Sequence, residues 1–422
     1  MKKGSRYGFW IIVGLLLLAT SLSFLDRQVL SISIIKIKGD LNISDVQYGF
    51  INTGFLVGYA IMFTLGGILI DRFGSRLGLA FSVGFWSFAT ALHSTANSVL
   101  HFGVFRFMLG VGEGGCFPGA IKAVIEWVPK NKHALANGIA IGGSAIGAVV
   151  APPLSVYLLG IVGWRMVFLI TGSFGFIWLL TWLFFTKGQQ RSTLLADDKS
   201  APETENKKEA IKLTSLLKNK EALVFIFMRF MLDPIFYFYM FWIPKYLNEY
   251  RDLSLTAIGK ILWIPFLALG IANILGGWFS DRIYIRTSDL NLARKLVMGI
   301  AAAMTIPLVS IGVIHSTLII MVLVCLAFFA HGLWITNYIT SIGDVFGKHA
   351  TSTVVGLSGS AGAVLALVLN PVIGYIVSNY SYSPMWWYAG IMYPLIFFCF
   401  IWLIPEIKQK DINLVGSPET ME

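Results

Sequence analysis

Six residues of this chain combine charge with an apolar setting. The stretch "SFLDRQVLS" (23–31) sets Asp26 beside Arg27 in a mostly apolar segment that carries no other charge from Phe9 to Ile35. Arg106 and Glu113 stand seven apart in "FRFMLGVGEGG", and Arg229 and Asp233 four apart in "RFMLDPIF". A planar guanidinium grips a carboxylate with two hydrogen bonds and stays charged at any working pH. Asp26 and Glu113 can take up protons, because exclusion of water penalises their charge. Neutralising either one removes a negative charge near the arginines and so favours an incoming anion. Proton–anion cotransport requires that coupling. The plainer reading is that these groups form ion pairs that fasten helices together, and for Arg229 and Asp233 it weighs equally. Their spacing permits a salt bridge along one helix, which Pro234 bends beside it.

Such residues need elements that hold them away from water, and composition says which. Hydrophobic residues make up 56% of the 422 and charged residues only 13%, about half the share in soluble domains. Apolar runs of about 20 residues, the length of a membrane-crossing helix, recur twelve times. They fall near 9–35, 46–69, 77–96, 99–124, 134–158, 164–186, 220–247, 255–280, 293–315, 317–343, 351–378 and 385–405. The start "MKKGSRYGFW" has the basic-then-apolar look of a signal peptide. Its apolar part is long and no cleavage site follows, so it counts as the first span. The expected fold is all-α and integral to the membrane, with twelve transmembrane helices in two pseudo-symmetric six-helix bundles.

Net charge is +10, a balance that elsewhere would suggest nucleic acid. Its placement points to topology instead. Of 32 lysines and arginines, three (Arg27, Arg106 and Arg229) lie deep inside spans, six lie at or beyond span ends on one side and the remaining 23 on the other. The positive-inside bias then puts both termini in the cytoplasm and the chain in the cytoplasmic (inner) membrane. Cys116, Cys325 and Cys399 all fall within spans, an odd count without the spacing of a disulfide frame or zinc site.

The polar stretch 187–219 separates 1–186 from 220–405, leaving 406–422 as a tail. We read these as a first six-helix bundle, a cytoplasmic linker, a second bundle and a cytoplasmic tail. An amphipathic segment, "EAIKLTSLLKN", closes the linker. The halves repeat. Gly67 with Asp71-Arg72 recurs as Gly277 with Asp281-Arg282, an offset of 210, and Gly138 with Pro153 recurs as Gly356 with Pro371, an offset of 218. Matching halves are the trace of a duplicated transporter.

"GILIDRFGSRLGL" (67–79) resembles the signature loop between the second and third helices of the major facilitator superfamily, with Ser75 in place of a basic residue. "FRFMLGVGEGGCFPGAIKAVIEWVPKNKHALANGIAIGGSAIGAVVAPPL" (105–154), "LDR" in the first span and "GWRMVFLITGSFGFIW" (163–178) resemble its anion:cation symporter branch. "RFMLDPIFYFYMFWIPKYL" (229–247) and "AHGLWITNYITSIGDVFG" (330–347) are most similar to the hexuronate transporters. The resemblance implies substrate binding by Arg27, Tyr59 and Arg106, and proton coupling by Asp26 and Glu113. It implies a gate latch at Asp71, Arg72, Arg76, Asp281 and Arg282, with Asp71 engaging the N-terminus of the eleventh span near Ala350–Thr353.

Depth agrees with those roles. At 1.5 Å per residue, Asp26 and Arg27 lie roughly 13 Å from the outer end of their helix and Arg106 roughly 11 Å from the end of its own. Asp26 and Arg27 diverge by about 100°, so one faces substrate while the other pairs sideways. His331, Trp334 and Asn337 recur about one turn apart near mid-membrane. Trp334 and Asn337 are taken as lining residues, whereas a lone His is more often satisfied structurally. The runs "GIAIGGSAIG" (138–147) and "GLSGSAGA" (356–363) suit close helix packing and cradle no phosphate.

The expected function is proton-coupled import of a sugar-acid anion, foremost a hexuronate such as glucuronate or galacturonate, by alternating access. Other organic anions (an aldonate, a glucarate-type diacid, an aromatic acid) are the alternative, and a transporter-like sensor stands further off. The proline-containing motif of drug exporters is missing from the fifth span. No nucleophile with a base, metal cluster or nucleotide loop appears, so no enzyme, metal or cofactor is expected. The partners are a small organic anion, protons and lipid, with no nucleic acid, and the chain is expected to act as a monomer.

Overall fold

The computed structural model describes residues 8–129, 132–187 and 216–408. Eleven α-helices cover them: α1 Gly8–Leu41, α2 Asp45–Leu92, α3 Val99–Gly114, α4 Cys116–Trp127, α5 His133–Phe185, α6 Lys220–Lys245, α7 Leu255–Ile261, α8 Trp263–Thr287, α9 Leu290–Thr305, α10 Thr317–Asn379 and α11 Ser383–Leu403. Among the described residues there is no strand.

Eleven helices carry twelve spans because α2, α5 and α10 each join two. The joints are Gly74, Gly163 and Gly347, with φ of 81°, 73° and 59°. A side chain at such φ costs roughly 1–2 kcal/mol, which glycine avoids. The fourth and eighth spans are divided in the other sense, α3 and α4 meeting at Gly115 and α7 and α8 at Leu262. Several boundaries differ from the sequence expectation. α1 runs on to Leu41, and the ninth span ends its α-helix at Thr305 and continues as a 3₁₀ turn to Ser310.

The internal repeat extends into local geometry. Asn42 and Asp252, 210 apart, both sit left-handed, at φ 51° and 53°. Two residues on, Ser44 and Ser254 cap α2 and α7, each hydroxyl accepting from the amide three residues later. Only the first cap is reciprocated, Gln47 bonding back to the Ser44 amide at 2.9 Å.

The chain divides into two compact units. One holds the residues up to Lys208 with Met240–Trp263 and Asn370–Gly374, and the other holds Glu209–Tyr239, Ile264–Leu369 and the residues from Tyr375. The linker expected at 187–219 and the tail at 406–422 fall mostly outside the described residues, and the domain boundaries drawn there stay proposals.

In the first unit α1 packs on α5 with almost no side chain between them. A methyl group added at Gly143 or Gly147 would collide with the carbonyl oxygen of Leu17 or Ser21. The Thr20 hydroxyl donates to the Ala140 carbonyl at 2.6 Å and that of Ser21 to the Gly143 carbonyl at 2.8 Å. Small residues and hydroxyl bonds of this kind hold helices together in lipid, where apolar burial gives no drive. Gly138 and Gly356, the repeat-related glycines that open the two runs expected to pack closely, have nothing within 4 Å of an added methyl. Outward-facing side chains such as Leu180, Phe184, Ile274 and Trp402 are more than two-thirds exposed, as a lipid-facing surface requires.

The same unit contains a closed square of ion pairs. Lys38 at the end of α1 reaches Asp45 at 2.8 Å and Glu249 at 3.0 Å, and Lys245 at the end of α6 reaches the same two carboxylates. Beneath it the Tyr48 hydroxyl donates to the Phe241 carbonyl at 2.7 Å.

Candidate functional site: a buried charge cluster

Asp26, Arg27, Arg106 and Glu113 are all at most 4% exposed and lie in the first unit. Arg27 leaves α1 toward α3, where its Nη2 donates to Glu113 Oε2 at 2.7 Å and its Nε to the same oxygen at 3.1 Å. The Ser23 hydroxyl, one turn earlier on α1, adds a third bond at 3.1 Å. Glu113 Oε1 has no hydrogen-bond partner among the described residues. Three rings enclose the Arg27 guanidinium: Phe24, Phe55 and Tyr59, with centroids 4.7, 5.0 and 4.8 Å away. Rings held this close favour the cation through their negative faces.

Arg106 is bound more loosely. Its two terminal nitrogens donate to the backbone carbonyl of Arg27 at 3.3 and 3.4 Å, and its Nε has no partner among the described residues. These contacts put Arg106 and Arg27 at one level, as the depths read from sequence required. The divergence of Asp26 from Arg27 also appears. Asp26 turns away from the Arg27–Glu113 pair, toward Trp86, Thr90 and Thr171.

α2 and α3 bring these residues together through close backbone contact. Gly110 packs against the backbone of Phe55 and Tyr59, and Gly58 against that of Phe107. The aromatic rings over Arg27 and the two charges of α3 are thereby held to one another.

The second unit has its own polar site, a cavity lined by Arg229, Asp233, His331, Trp334 and Tyr338. Arg229 Nε donates to Asp233 Oδ2 at 2.7 Å, the pairing that the spacing allowed. His331 stacks on Phe236 with centroids 4.2 Å apart, and its Nδ1 meets the Tyr393 hydroxyl at 2.6 Å. Trp334 sets its ring edge to face with Tyr393. Asn337 does not line the cavity. Its amide nitrogen donates to the carbonyls of Gly276 and Leu333 at 3.1 and 3.0 Å, while its amide oxygen has no partner among the described residues.

The expected latch residues are divided between the two units. The side chain of Asp71 lies outside the described residues, as do those of Ala350 and Ser352 in its expected partner segment. Arg72 is exposed beside Phe73, and Arg76 donates to the Thr186 hydroxyl at 3.2 Å. Asp281 meets Arg294 at 3.3 Å, which also binds Asp344 at 2.9 Å, and Arg282 is exposed. Ser75, where the signature has a basic residue, is buried, donates to Glu126 at 2.6 Å and accepts from the Trp127 indole at 3.0 Å. A hydroxyl fits there because it can do both.

Sequence reasoning passed over Phe24, Phe55, Trp86, Thr90 and Thr171. Uncharged residues in an apolar span are not conspicuous. The i, i+4 spacing of Trp86 and Thr90 was the one available sign of a shared polar face.

Apolar helices, nine of them among the described residues long and apolar enough to cross a membrane, carry buried charges in each unit and define a multi-pass membrane protein. The sequence model of the Major Facilitator Superfamily matches residues 16–369. The chain belongs to that superfamily and is a transport protein. It is 28% identical over 416 residues to the hexuronate transporter of Escherichia coli (strain K12), covering 96% of this chain and 95% of that one. It is 27% identical over 442 residues to the probable galactarate/D-glucarate transporter GarP of the same organism, covering 98% of both. Among solved structures, the D-xylose-proton symporter superposes with a TM-score of 0.75 at 15% identity over 95% of this chain and 99% of that one, a likeness of fold alone.

Proposed function

We propose that this protein is a proton-coupled symporter that imports a sugar-acid anion, most specifically a hexuronate, by alternating access. The observation that carries the reading is the charge balance of the first unit. Two guanidiniums and two carboxylates lie buried together, so the cluster is neutral when all four are ionised. An incoming monoanion would leave a net negative charge in a medium where that is costly. A proton on Glu113 or Asp26 restores neutrality, so anion and proton enter together. Protonating Glu113 also loosens its hold on Arg27, freeing donors for the substrate carboxylate.

In this reading Arg106 and Arg27 bind the carboxylate and Tyr59 meets a hydroxyl, while Trp334 is a lining residue of the second unit's own cavity. Asp71, Arg72, Arg76, Asp281 and Arg282 act in gating, and both termini face the cytoplasm of a monomeric carrier. The named activities of the two relatives support a sugar acid as substrate. A diacid is the second reading. Arg229 with Asp233 repeats, in the second unit, the pairing of an arginine with its own carboxylate, which a second substrate carboxylate would replace.

Uptake of labelled glucuronate into proteoliposomes under an inward proton gradient tests the proposal. Accumulation in the wild type, lost in Glu113→Gln while gradient-free exchange persists, is the expected result. Accumulation indifferent to the gradient would overturn proton coupling. Uptake of glucarate alone would select the diacid.

A further inference from the structure

Asp26 departs from the rule that buried charges are paired. It is 1% exposed, and neither carboxylate oxygen makes a hydrogen bond of ordinary length and angle among the described residues. The guanidiniums are directed elsewhere, Arg27 to Glu113 and Arg106 to the Arg27 backbone. The side chains within hydrogen-bonding reach of Asp26 are uncharged: Trp86 and Thr90 from the second limb of α2, and Thr171 from the second limb of α5. All three are at most 1% exposed. The Trp86 indole nitrogen and Thr90 hydroxyl also have no partner among the described residues. Thr171 makes one long bond, at 3.4 Å, to the Phe168 carbonyl of its own helix. Three buried donors therefore surround an acid, with hydrogen-bonding capacity left over on each side.

This set of groups suits one kind of ion. An ionised carboxylate accepts from an indole N–H and from hydroxyls, whereas a protonated one donates to a threonine oxygen after the hydroxyl rotates. Both states are served without moving the backbone. An alkali cation would find four oxygens here, two of the carboxylate and two hydroxyls, but would share the site with an indole N–H, which is a donor only and opposes a cation. Arg106 on α3 adds positive charge that repels a metal ion. Glu113 on α3 acts on Asp26 with the opposite sign. Arg27 adjoins Asp26 on α1, and His93 follows Thr90 at the C-cap of α2.

We propose that Trp86, Thr90 and Thr171 are positioning residues for Asp26 that let it exchange a proton and exclude sodium. They set which ion drives the carrier. The consequence for transport rests on the proton-coupled reading above, whereas the titration of Asp26 does not.

The test is a pH titration of the Asp26 carboxyl by difference infrared spectroscopy on purified, reconstituted protein, with Asp26→Asn assigning the band. Thr90→Val and Trp86→Phe should displace the midpoint by about one pH unit, the scale of one hydrogen bond to a buried carboxylate. Thr90→Ser, which keeps the hydroxyl, should restore it. Exchanging choline for sodium at constant ionic strength should leave the wild-type midpoint unmoved. A midpoint unchanged in Thr90→Val, or a wild-type midpoint that follows sodium, overturns the proposal. The sodium comparison uses wild-type protein alone and so decides even if a variant fails to fold. Failure of glucuronate uptake would remove the hexuronate reading and leave this titration standing.

Discussion

The guanidinium of Arg106 donates to the backbone carbonyl of Arg27, so two like charges share one buried chain of hydrogen bonds that ends at Glu113. Within that chain only Arg27 has a carboxylate. Arg106 reaches none among the described residues and holds its carbonyl at 3.3–3.4 Å. It is the cation with donors left for an anion, and Arg27 is the one that must first release a partner.

This asymmetry predicts different outcomes for the two arginines. Arg106→Lys keeps the charge and loses the fork that meets a carboxylate with two bonds. Its apparent affinity for glucuronate, read by counterflow, should fall about tenfold to a hundredfold, as for a lost charge-assisted hydrogen bond. Arg27→Lys should also lower thermal stability, because it breaks a doubly bonded buried pair. Equal melting temperatures for the two variants would contradict the assignment.

Glu113→Gln should change the pH dependence rather than simply reduce activity. At low pH a protonated Glu113 releases its ion pair with Arg27 and leaves the cluster positive, which favours the anion. At high pH the ionised carboxylate competes with it. Wild-type affinity should therefore weaken as pH rises. The glutamine, neutral at every pH, should flatten that dependence toward the low-pH value. Binding isotherms across pH decide the matter, and a variant as pH-sensitive as the wild type would transfer the role to another acid.

The charges were legible in the sequence because full charges in apolar spans stand out, and counting residues along a helix recovered their common depth. The repeat was legible too, and its offset of 210 reappears in the left-handed Asn42 and Asp252. What surrounds the charges was not. Trp86 and Thr171 are ordinary residues of a membrane span, and only proximity to Asp26 gives them a role. Within the glycine run 138–147, composition cannot say which glycine faces a neighbour, since each residue turns the face by about 100°. Asn337 has the right type and depth, but its amide nitrogen is taken by two backbone carbonyls.

The glycines offer a controlled comparison. Gly147→Ala would drive a methyl into the backbone of Ser21, whereas Gly138→Ala meets nothing within 4 Å. The first should lower stability by about 1–3 kcal/mol, the usual cost of overpacking, or force α1 and α5 apart. The second should be neutral or slightly stabilising, since alanine favours the helix. Thermal unfolding of the two variants in detergent measures the difference. Equal melting temperatures would show that α1 and α5 are not held this closely.

The ion-pair square predicts that its two lysines differ although each touches the same two acids. The Lys245 side chain is 1% exposed and that of Lys38 is 32% exposed. With Lys245→Met, Asp45 and Glu249 keep only a cation that water already screens, and Asp45, at 9% exposure, cannot recover hydration. Breaking a buried pair costs about 3–5 kcal/mol, a half-exposed one about 0–1 kcal/mol. Lys245→Met should thus lower the melting temperature well below that of Lys38→Met. Added salt should narrow the gap between wild type and Lys38→Met, because exposed pairs are screened and buried ones are not. If Lys38→Met proved the more damaging, Lys38 would be the lysine that holds the square together.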